Sequence, residues 1–526
     1  MQVDNRVTGF ASGMDINQQV QDLMRVERQP LVKMEQDALR LQYEMEDYRE
    51  MNREYQSFSD SIFDGIIRRS NTTAKEAISS NENLVEASAS ADANEGSYTI
   101  SNITQLASAA TNQSKDTNGD PVEVTDDNGE RLDPDESLWD QLQNTINWDT
   151  ADGENSEFSF NMTMYNEDGA HTEEFTFSGT DTLNDVLDGI NNSNAGVNAY
   201  YDDFSGQVAI TRSETGNFNQ SGSEMEFSEN FLGNVLSLHS ENETGGENAI
   251  FEMNGIETER TSNTFEEDNV QFTLNNTTTG DESASINVSA DTESIKETIM
   301  GFVEDYNEMI EKTDEKLSEE YYRDYPPLTE EQRSEMNETE IEQWEERSQS
   351  GYLRRDSILT NGLDTMRQDM YAEVDTGDGA AFSHLTEIGI TTSSDYRERG
   401  KLEVDETELE QAIQEDSEAV YQLFSADGES YEEKGVARRV RESLDHTMDS
   451  ISERAGGPAM PSPDQFTIGR EMNNLDDRMS NFERRMQKTE ERYWDQFTRM
   501  EQAMAEANAQ AQQMQQQMAG MGGGMM

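Results

Sequence analysis

A chain of 526 residues with 33% hydrophobic side chains and a mean hydropathy of −0.92 is expected to fold as several modest domains joined by solvated helices. Its 111 acidic against 38 basic residues leave a formal net charge of −73, which excludes nucleic acid as a partner because phosphate backbones need clustered Lys and Arg. Cysteine is absent, which excludes a disulfide framework, a thiol nucleophile and a thiolate metal site.

No run of about 18 apolar residues occurs, so no membrane insertion is expected. The opening MQVDNRVTGFASGMDINQQV lacks the basic start and apolar core of an ordinary secretory signal. The acids are spread over the whole chain and do not form one recognition arm. Such a surface suits a salty medium, where the Debye length falls to about 3 Å at 1 M and neighbouring charges stop sensing one another.

In chain order, the first element is a long apolar stripe at Leu31, Met34, Ala38, Leu41, Met45, Tyr48, Met51, Tyr55, Phe58, Ile62 and Ile66. Its steps alternate mostly between three and four, the heptad spacing of a helix that buries one narrow seam. Arg68 to Asn83 is polar and reads as a boundary. A strand-like run from Gly96 to Ala107 follows, then an Asp, Asn, Gly and Pro-rich loop or hairpin from Lys115 to Asp135. Phe158, Phe160, Met162 and Met164 share one face of a strand, and Phe175 with Phe177 share another. Thr182 to Asn191 reads as a short helix. Val197, Ala199 and Tyr201 alternate again before the turn at Asp202 to Gly206 and a strand through Val208 and Ile210. The order strand, strand, helix, strand, strand describes a small α+β module. More strands are expected at Ile250 to Ile256, Val270 to Leu274 and Ile286 to Val288.

At Thr292 the period changes from two to 3.6, with Ile295, Ile299, Phe302, Tyr306, Ile310, Thr313 and Leu317 on one helical face. Leu353 to Tyr371, Thr407 to Phe424 and Val436 to Ile451 supply further helices. Between the helix that starts at Thr292 and the one from Leu353 lies an acidic excursion, Glu319 to Ser350, whose Tyr321, Tyr322, Tyr325 and Trp344 are expected to pack onto the neighbouring bundle, with contact to a basic partner as the alternative. Pro458, Pro461 and Pro463 precede a second heptad stripe at Ile468, Met472, Leu475, Met479, Phe482, Met486, Thr489 and Tyr493, continued by Met500 and Met504. Gln510 to Met526 reads as a Gln, Met and Gly tail without a stripe.

A seam so narrow cannot bury itself on a lone helix, so each terminal stripe requires a helical partner, and each is the natural partner of the other. The expected fold is α+β multidomain: paired N- and C-terminal coiled-coil helices and a helical bundle section, with inserted β-rich modules at the end away from the termini. The seam is Leu31, Met34, Leu41, Met45, Tyr48, Tyr55, Phe58 and Ile62 on one helix. On the other it is Met472, Leu475, Met479, Phe482, Met486 and Tyr493. The domain limits expected are 1–70 for the first stalk helix, 71–115 with 246–290 for a β-rich head module, and 116–245 for an inserted α+β module. A helical section at 291–455 and a second stalk helix with its tail at 456–526 complete the chain.

Catalytic chemistry finds no constellation. His171, His239, His384 and His446 have no metal-ligand spacing and no Ser or Asp partner in sequence. Neither a G-x-S-x-G elbow nor a phosphate-binding P-loop occurs. Asp116, Asn118 and Asp120 match the first three ligands of a calcium loop, but Pro121 stands where its sharp-turn glycine belongs and Asp127 where a bidentate Glu should close the cage. A plain Asp/Asn/Gly turn accounts for them better. No enzyme, metal or cofactor is expected.

A series of short motifs runs in order along nearly the whole chain. They begin at Gly9, Ser12-Gly13-Met14-Asp15-Ile16, Glu27 and Pro30-Leu31, and continue through Gly96-Ser97-Tyr98, Gln105-Leu106-Ala107, Asn254-Gly255-Ile256 and Ser262-Asn263. Phe302-Val303, Tyr306-Asn307, Leu353 with Asp356 and Leu359, Ile388-Gly389-Ile390, Gly400-Lys401-Leu402-Glu403-Val404-Asp405, Leu423-Phe424, Phe497 and Met500 complete the series. In order and spacing these motifs resemble the flagellar filament cap protein family, with the departures that Met14 stands where Leu is usual and that the tail from Gln510 is longer than the family's. Within this pattern Gly13, Asp15, Gly389, Gly400 and Asp405 are the marker positions. The resemblance implies a secreted structural protein, exported unfolded by the flagellar type III apparatus with an export chaperone. It implies a homo-oligomeric ring, pentamer or hexamer, at the filament tip, which retains flagellin and promotes its folding and insertion. Another axial flagellar protein (a junction protein or flagellin) and a surface adhesin presenting Asn161 to Ser240 are the rival readings.

Overall fold

The computed structural model describes residues 13–150, 152–377 and 381–522. The chain divides into two compact units: one combines the residues up to Thr72 with those from Thr292 on, and the other is Thr73–Asp291. Helix and strand account for 47% and 21% of the protein.

Helix α1 (Ile16–Asp64) opens the first unit and runs for 49 residues. Its N-terminus is capped by Asp15, whose carboxylate accepts the Gln18 N–H at 3.0 Å and so satisfies one orphan donor of the first turn. At the other end the Gly65 N–H closes on the Ser61 carbonyl at 2.8 Å. A short helical turn, α2 (Arg69–Thr72), ends this part of the unit.

The second unit contains β1 (Lys75–Ser79), β2 (Val85–Ala89), β3 (Gly96–Gln105), β4 (Ala109–Gln113), α3 (Leu138–Leu142), β5 (Glu157–Asn166), β6 (Gly169–Ser178) and α4 (Leu183–Asn191). It continues with β7 (Val197–Asp202), β8 (Gln207–Thr215), β9 (Met225–Phe227), β10 (Ala249–Met253), β11 (Ile256–Arg260), β12 (Thr264–Glu267), β13 (Val270–Leu274) and β14 (Ser283–Ala290). Two separate cores organise it. One lies between a five-stranded sheet of order β1-β14-β3-β10-β11 and a three-stranded sheet β12-β13-β2, and holds Val85, Ile100, Ile103, Phe251, Phe272 and Ile286. The β10–β11 hairpin turns through Asn254 and Gly255 with φ of 50° and 79°, the left-handed pair that a two-residue turn demands.

The second core joins the sheets β6-β5-β9 and β4-β8-β7 to α4. Alternation along β5 buries Phe158, Phe160, Met162 and Met164, and Phe160 stacks on Phe175 of β6 at 5.2 Å. The order strand, strand, helix, strand, strand is present as β5, β6, α4, β7 and β8, but the two strand pairs belong to different sheets. The stretch Arg68 to Asn83, read from its polarity as a boundary, contains β1. This strand lies at a sheet edge and its lone large apolar residue, Ile78, is 54% exposed, so no hydrophobic alternation announces it.

Inside this second core lies a charge pair. Arg212 of β8 is 4% exposed and donates to Glu224, 2% exposed, at 2.7 Å, while the other Glu224 oxygen accepts the Phe218 N–H at 2.7 Å. Replacing Arg212 by Met should destabilise this unit by about 3–5 kcal/mol, because Glu224 is left buried and uncompensated. Amide exchange along β5 and β8 is the measurement; protection unchanged from wild type would contradict it.

The first unit resumes with α5 (Thr292–Ser318), α6 (Glu330–Ser334), α7 (Glu338–Ser348), α8 (Ser357–Tyr371), β15 (Ile390–Thr392), β16 (Leu402–Val404), α9 (Glu406–Ser425), α10 (Val436–Ala455) and α11 (Thr467–Gly522). The C-terminal half of α1, together with α5, α8, α9 and α10, builds its core. Phe58 lies 6.2 Å from Phe302 and 6.4 Å from Tyr306, and Phe302 meets Phe424 of α9 edge-on at 5.7 Å. Gly362 lets α8 approach α10 closely, since a Cβ there would stand 2.8 Å from the Thr447 hydroxyl. In the acidic excursion, Trp344 of α7 donates to the Pro326 carbonyl at 2.7 Å and packs on Tyr325 at 4.8 Å. Tyr321 and Tyr352 continue the aromatic contacts to Tyr43 of α1.

Candidate assembly surface

The terminal helices α1 and α11 pack on each other, running in opposite directions. Ile16, Val20 and Met24 form one buried cluster with Met486, Tyr493, Trp494 and Phe497, and the Tyr493 hydroxyl donates to Glu27 at 3.0 Å. Nearer the bundle, Arg454 of α10 bridges Glu44 of α1 at 2.7 Å and Glu471 of α11 at 3.2 Å. Arg49 of α1 donates to the Ala455 carbonyl at 3.1 Å and lies over the Phe466 ring.

The seam residues fall into two environments. Leu31, Met34, Leu41 and Met45, with Met472, Met479, Phe482, Met486 and Tyr493, are half-buried, and Leu475 is buried. Two helices without further neighbours cover each other's stripe on one side only, which leaves such residues partly in water. Tyr48, Tyr55, Phe58 and Ile62 are buried, and Tyr48, Tyr55 and Phe58 are held by the bundle helices: the Tyr48 hydroxyl donates to Asp356 at 2.7 Å, and Tyr55 lies 3.2 Å from the Thr313 hydroxyl of α5. Burial, then the Asp356 hydrogen bond, pushes the Tyr48 phenol above its ordinary range, so it stays protonated as the donor.

The marker positions are explained by backbone geometry. Gly13 has φ of +72° just ahead of the Asp15 cap. Gly389, at φ of +80°, ends a 3-10 turn at Leu385–Ile388, and a Cβ there would stand 2.7 Å from that of Glu408. Its carbonyl accepts the Asp405 N–H at 2.9 Å, and the Asp405 carboxylate caps α9 through the Thr407 and Glu408 amides at 3.0 and 3.1 Å. Between them β15 and β16 pair antiparallel, and Gly400, at φ of +91°, lies in their connection against the Arg367 side chain. The structure thus brings Gly389 and Asp405 together and keeps Gly13 and Asp15 at the start of α1.

Among the described residues no group of three or more His, Cys, Asp or Glu side chains is arranged to hold a metal ion. Asp116 instead accepts the backbone amides of Asn118 and Asp120 at 2.8 and 2.9 Å, and Asp126 repeats the arrangement with Asn128 and Glu130. The Asp120 amide and Asn118 side chain on Asp116, and the Asn128 side chain and Glu130 amide on Asp126, hold both carboxyl groups below the usual carboxylate range.

One structural group absent from the sequence reading is Arg439, 1% exposed on α10. It donates to the carbonyls of Tyr431, Ala372, Glu373 and Glu432 at 2.8, 3.2, 2.8 and 2.9 Å, and lies 4.4 Å over the Tyr431 ring. Nearby, buried Asp369 accepts from the Tyr431 and Ser443 hydroxyls at 2.7 and 2.5 Å. The signal was present: Arg439 falls on the face defined by Val436, Val440, Ser443 and Thr447, as Arg212 falls in the buried register of Val208 and Ile210.

The fold and this surface define a mixed helix-and-sheet protein with paired long terminal helices. Residues 12–110 match the flagellar hook-associated protein 2 N-terminus and residues 246–509 its C-terminus, while 161–214 match the flagellin hook IN motif. The flagellar hook-associated protein 2 of Halalkalibacterium halodurans is 36% identical over 96% of this chain and 98% of its own length. The A-type protein of Pseudomonas aeruginosa is 24% identical over 95% of each chain. The D1-D2-D3 domains of the flagellar cap protein FliD from Escherichia coli share the fold, with a TM-score of 0.52 and 18% identity over 82% of this chain and 99% of theirs. The chain belongs to the flagellar hook-associated protein 2 family.

Proposed function

We propose that this chain is the cap at the distal tip of a bacterial flagellar filament. It is secreted through the flagellar export route, assembles as a pentameric or hexameric ring, retains exported flagellin and promotes its folding and insertion. The role is structural, with no bond made or broken. The observation that carries this reading is the packing of Ile16, Val20 and Met24 on Met486, Tyr493 and Phe497, in a chain of this family. Paired termini form a leg whose half-buried seam is left for neighbouring subunits to cover. Deleting the gene should release flagellin monomers into the medium and abolish filaments; full-length filaments without leakage would overturn the reading.

Charge sets the conditions of assembly. Copies carrying −73 each repel until counterions screen them, over about 10 Å at 0.1 M salt but about 3 Å at 1 M. Rings of the purified chain should therefore dissociate in dilute buffer and re-form as salt is raised. Sedimentation velocity across a salt series measures this, and rings that persist unchanged at low salt would refute it.

A further inference from the structure

Beyond Phe497 helix α11 continues to Gly522, although the tail from Gln510 carries no bulky stripe. Residues 502–517 are exposed, Met504 at 40% and Met514 at 65%. Counting alanine as apolar, Phe497, Met500, Met504, Ala507, Ala511 and Met514 follow one another in steps of three and four, an unbroken heptad seam. From Ala507 to Gly522 there is no ionisable side chain, in a chain with 111 acidic residues. The match to the family's C-terminal model ends at residue 509.

We propose that residues 500–517 of α11 are a self-association seam whose occupant is the same stretch of a second copy, lying parallel and in register. The proposal deepens the oligomeric reading above and rests on it. A helix of Ala, Gln and Met has favourable propensity, yet without tertiary cover a long exposed helix is marginal, and a heptad seam supplies that cover from another helix. Ala507 and Ala511 let two backbones approach closely. Gln510, Gln515 and Gln517 flank the seam where charged residues would otherwise select or reject a partner, so nothing opposes an identical strand. Across the rest of the acidic chain two copies repel; from Ala507 on they meet without charge.

The chain has no cysteine, so single variants of the full-length protein report the contact directly. Met514→Cys places a thiol in the seam and Gln516→Cys places one on the outer face. Under mild oxidation in about 1 M salt, Met514→Cys should form disulfide-linked dimers at least about tenfold faster than Gln516→Cys. Equal rates, or no dimer from either, in protein that sediments as oligomers would overturn the seam while leaving the ring reading intact. A chain that sediments as monomer at every salt concentration would overturn both. An intramolecular disulfide in a Phe10→Cys, Met514→Cys double variant would assign the seam to the chain's own N-terminal segment and likewise overturn the proposal.

Discussion

Replacing Arg439 by Met should cost the helical unit about 3–5 kcal/mol, the range for removing one partner from a buried ionic network. The guanidinium is the common donor to four carbonyls, from residues 372–373 and 431–432, of which those of Tyr431 and Glu432 also accept the Lys434 and Asp375 amides. Methionine replaces the stem and none of the donors, and the Ala372 and Glu373 carbonyls, whose donor is lost, cost about 1–3 kcal/mol each before relaxation. Arg439→Lys should recover less than half, since one ammonium cannot reproduce the planar fork that reaches four oxygens. Urea unfolding with linear extrapolation measures both; an Arg439→Met midpoint equal to wild type would refute the account.

The same variant carries a pH signature. Burial raises the Asp369 carboxyl above its ordinary value, an effect that its hydrogen bonds to Ser443 and Tyr431, and then the Arg439 charge, partly offset. A group with a raised folded pKa contributes stability below its unfolded pKa and loses it as pH climbs through the folded one. Without Arg439 the rise is larger. The gap between variant and wild type should therefore narrow as pH falls from neutral towards the ordinary carboxylate range.

Phe58→Ala should cost about 3–5 kcal/mol, whereas Met486→Ala, on the same predicted seam, should cost about 1 kcal/mol. Phe58 is 4% exposed between Phe302 and Tyr306, and its loss opens a cavity that neighbours on several helices cannot all close. Met486 is half-buried in a two-helix contact that can collapse around the deletion. Denaturant midpoints of the two variants decide it. Equal effects would mean that the seam is one uniform structure and that the bundle adds nothing to α1.

Much of the fold could be read directly. The two heptad stripes, the change of period at Thr292, the buried face of β5 and the helix of Thr182 to Asn191 all coincide with observed elements, because each repeats a local apolar pattern several times. Edge strand β1 and the small-residue strand β2 escaped, since neither carries a run of large apolar side chains. The helical tail beyond Gln510 escaped because its seam is carried by alanine as much as by methionine.

By itself the amino-acid order determined the long terminal helices, the alternation of the strands and the acidic surface, all properties of near neighbours along the chain. Only the tertiary structure decided that α1 changes partners along its length, half-covered by α11 at one end and packed on α5 and α10 at the other. It also decided that Arg439, a charged residue on an apolar face, would be satisfied in part by the Ala372 and Glu373 carbonyls, far away in sequence, and Arg212 by the Glu224 carboxylate in the connection between β8 and β9. Periodicity specifies which face of an element must be buried. What buries it depends on which surfaces meet, and that is settled by chain closure over distances no local pattern encodes.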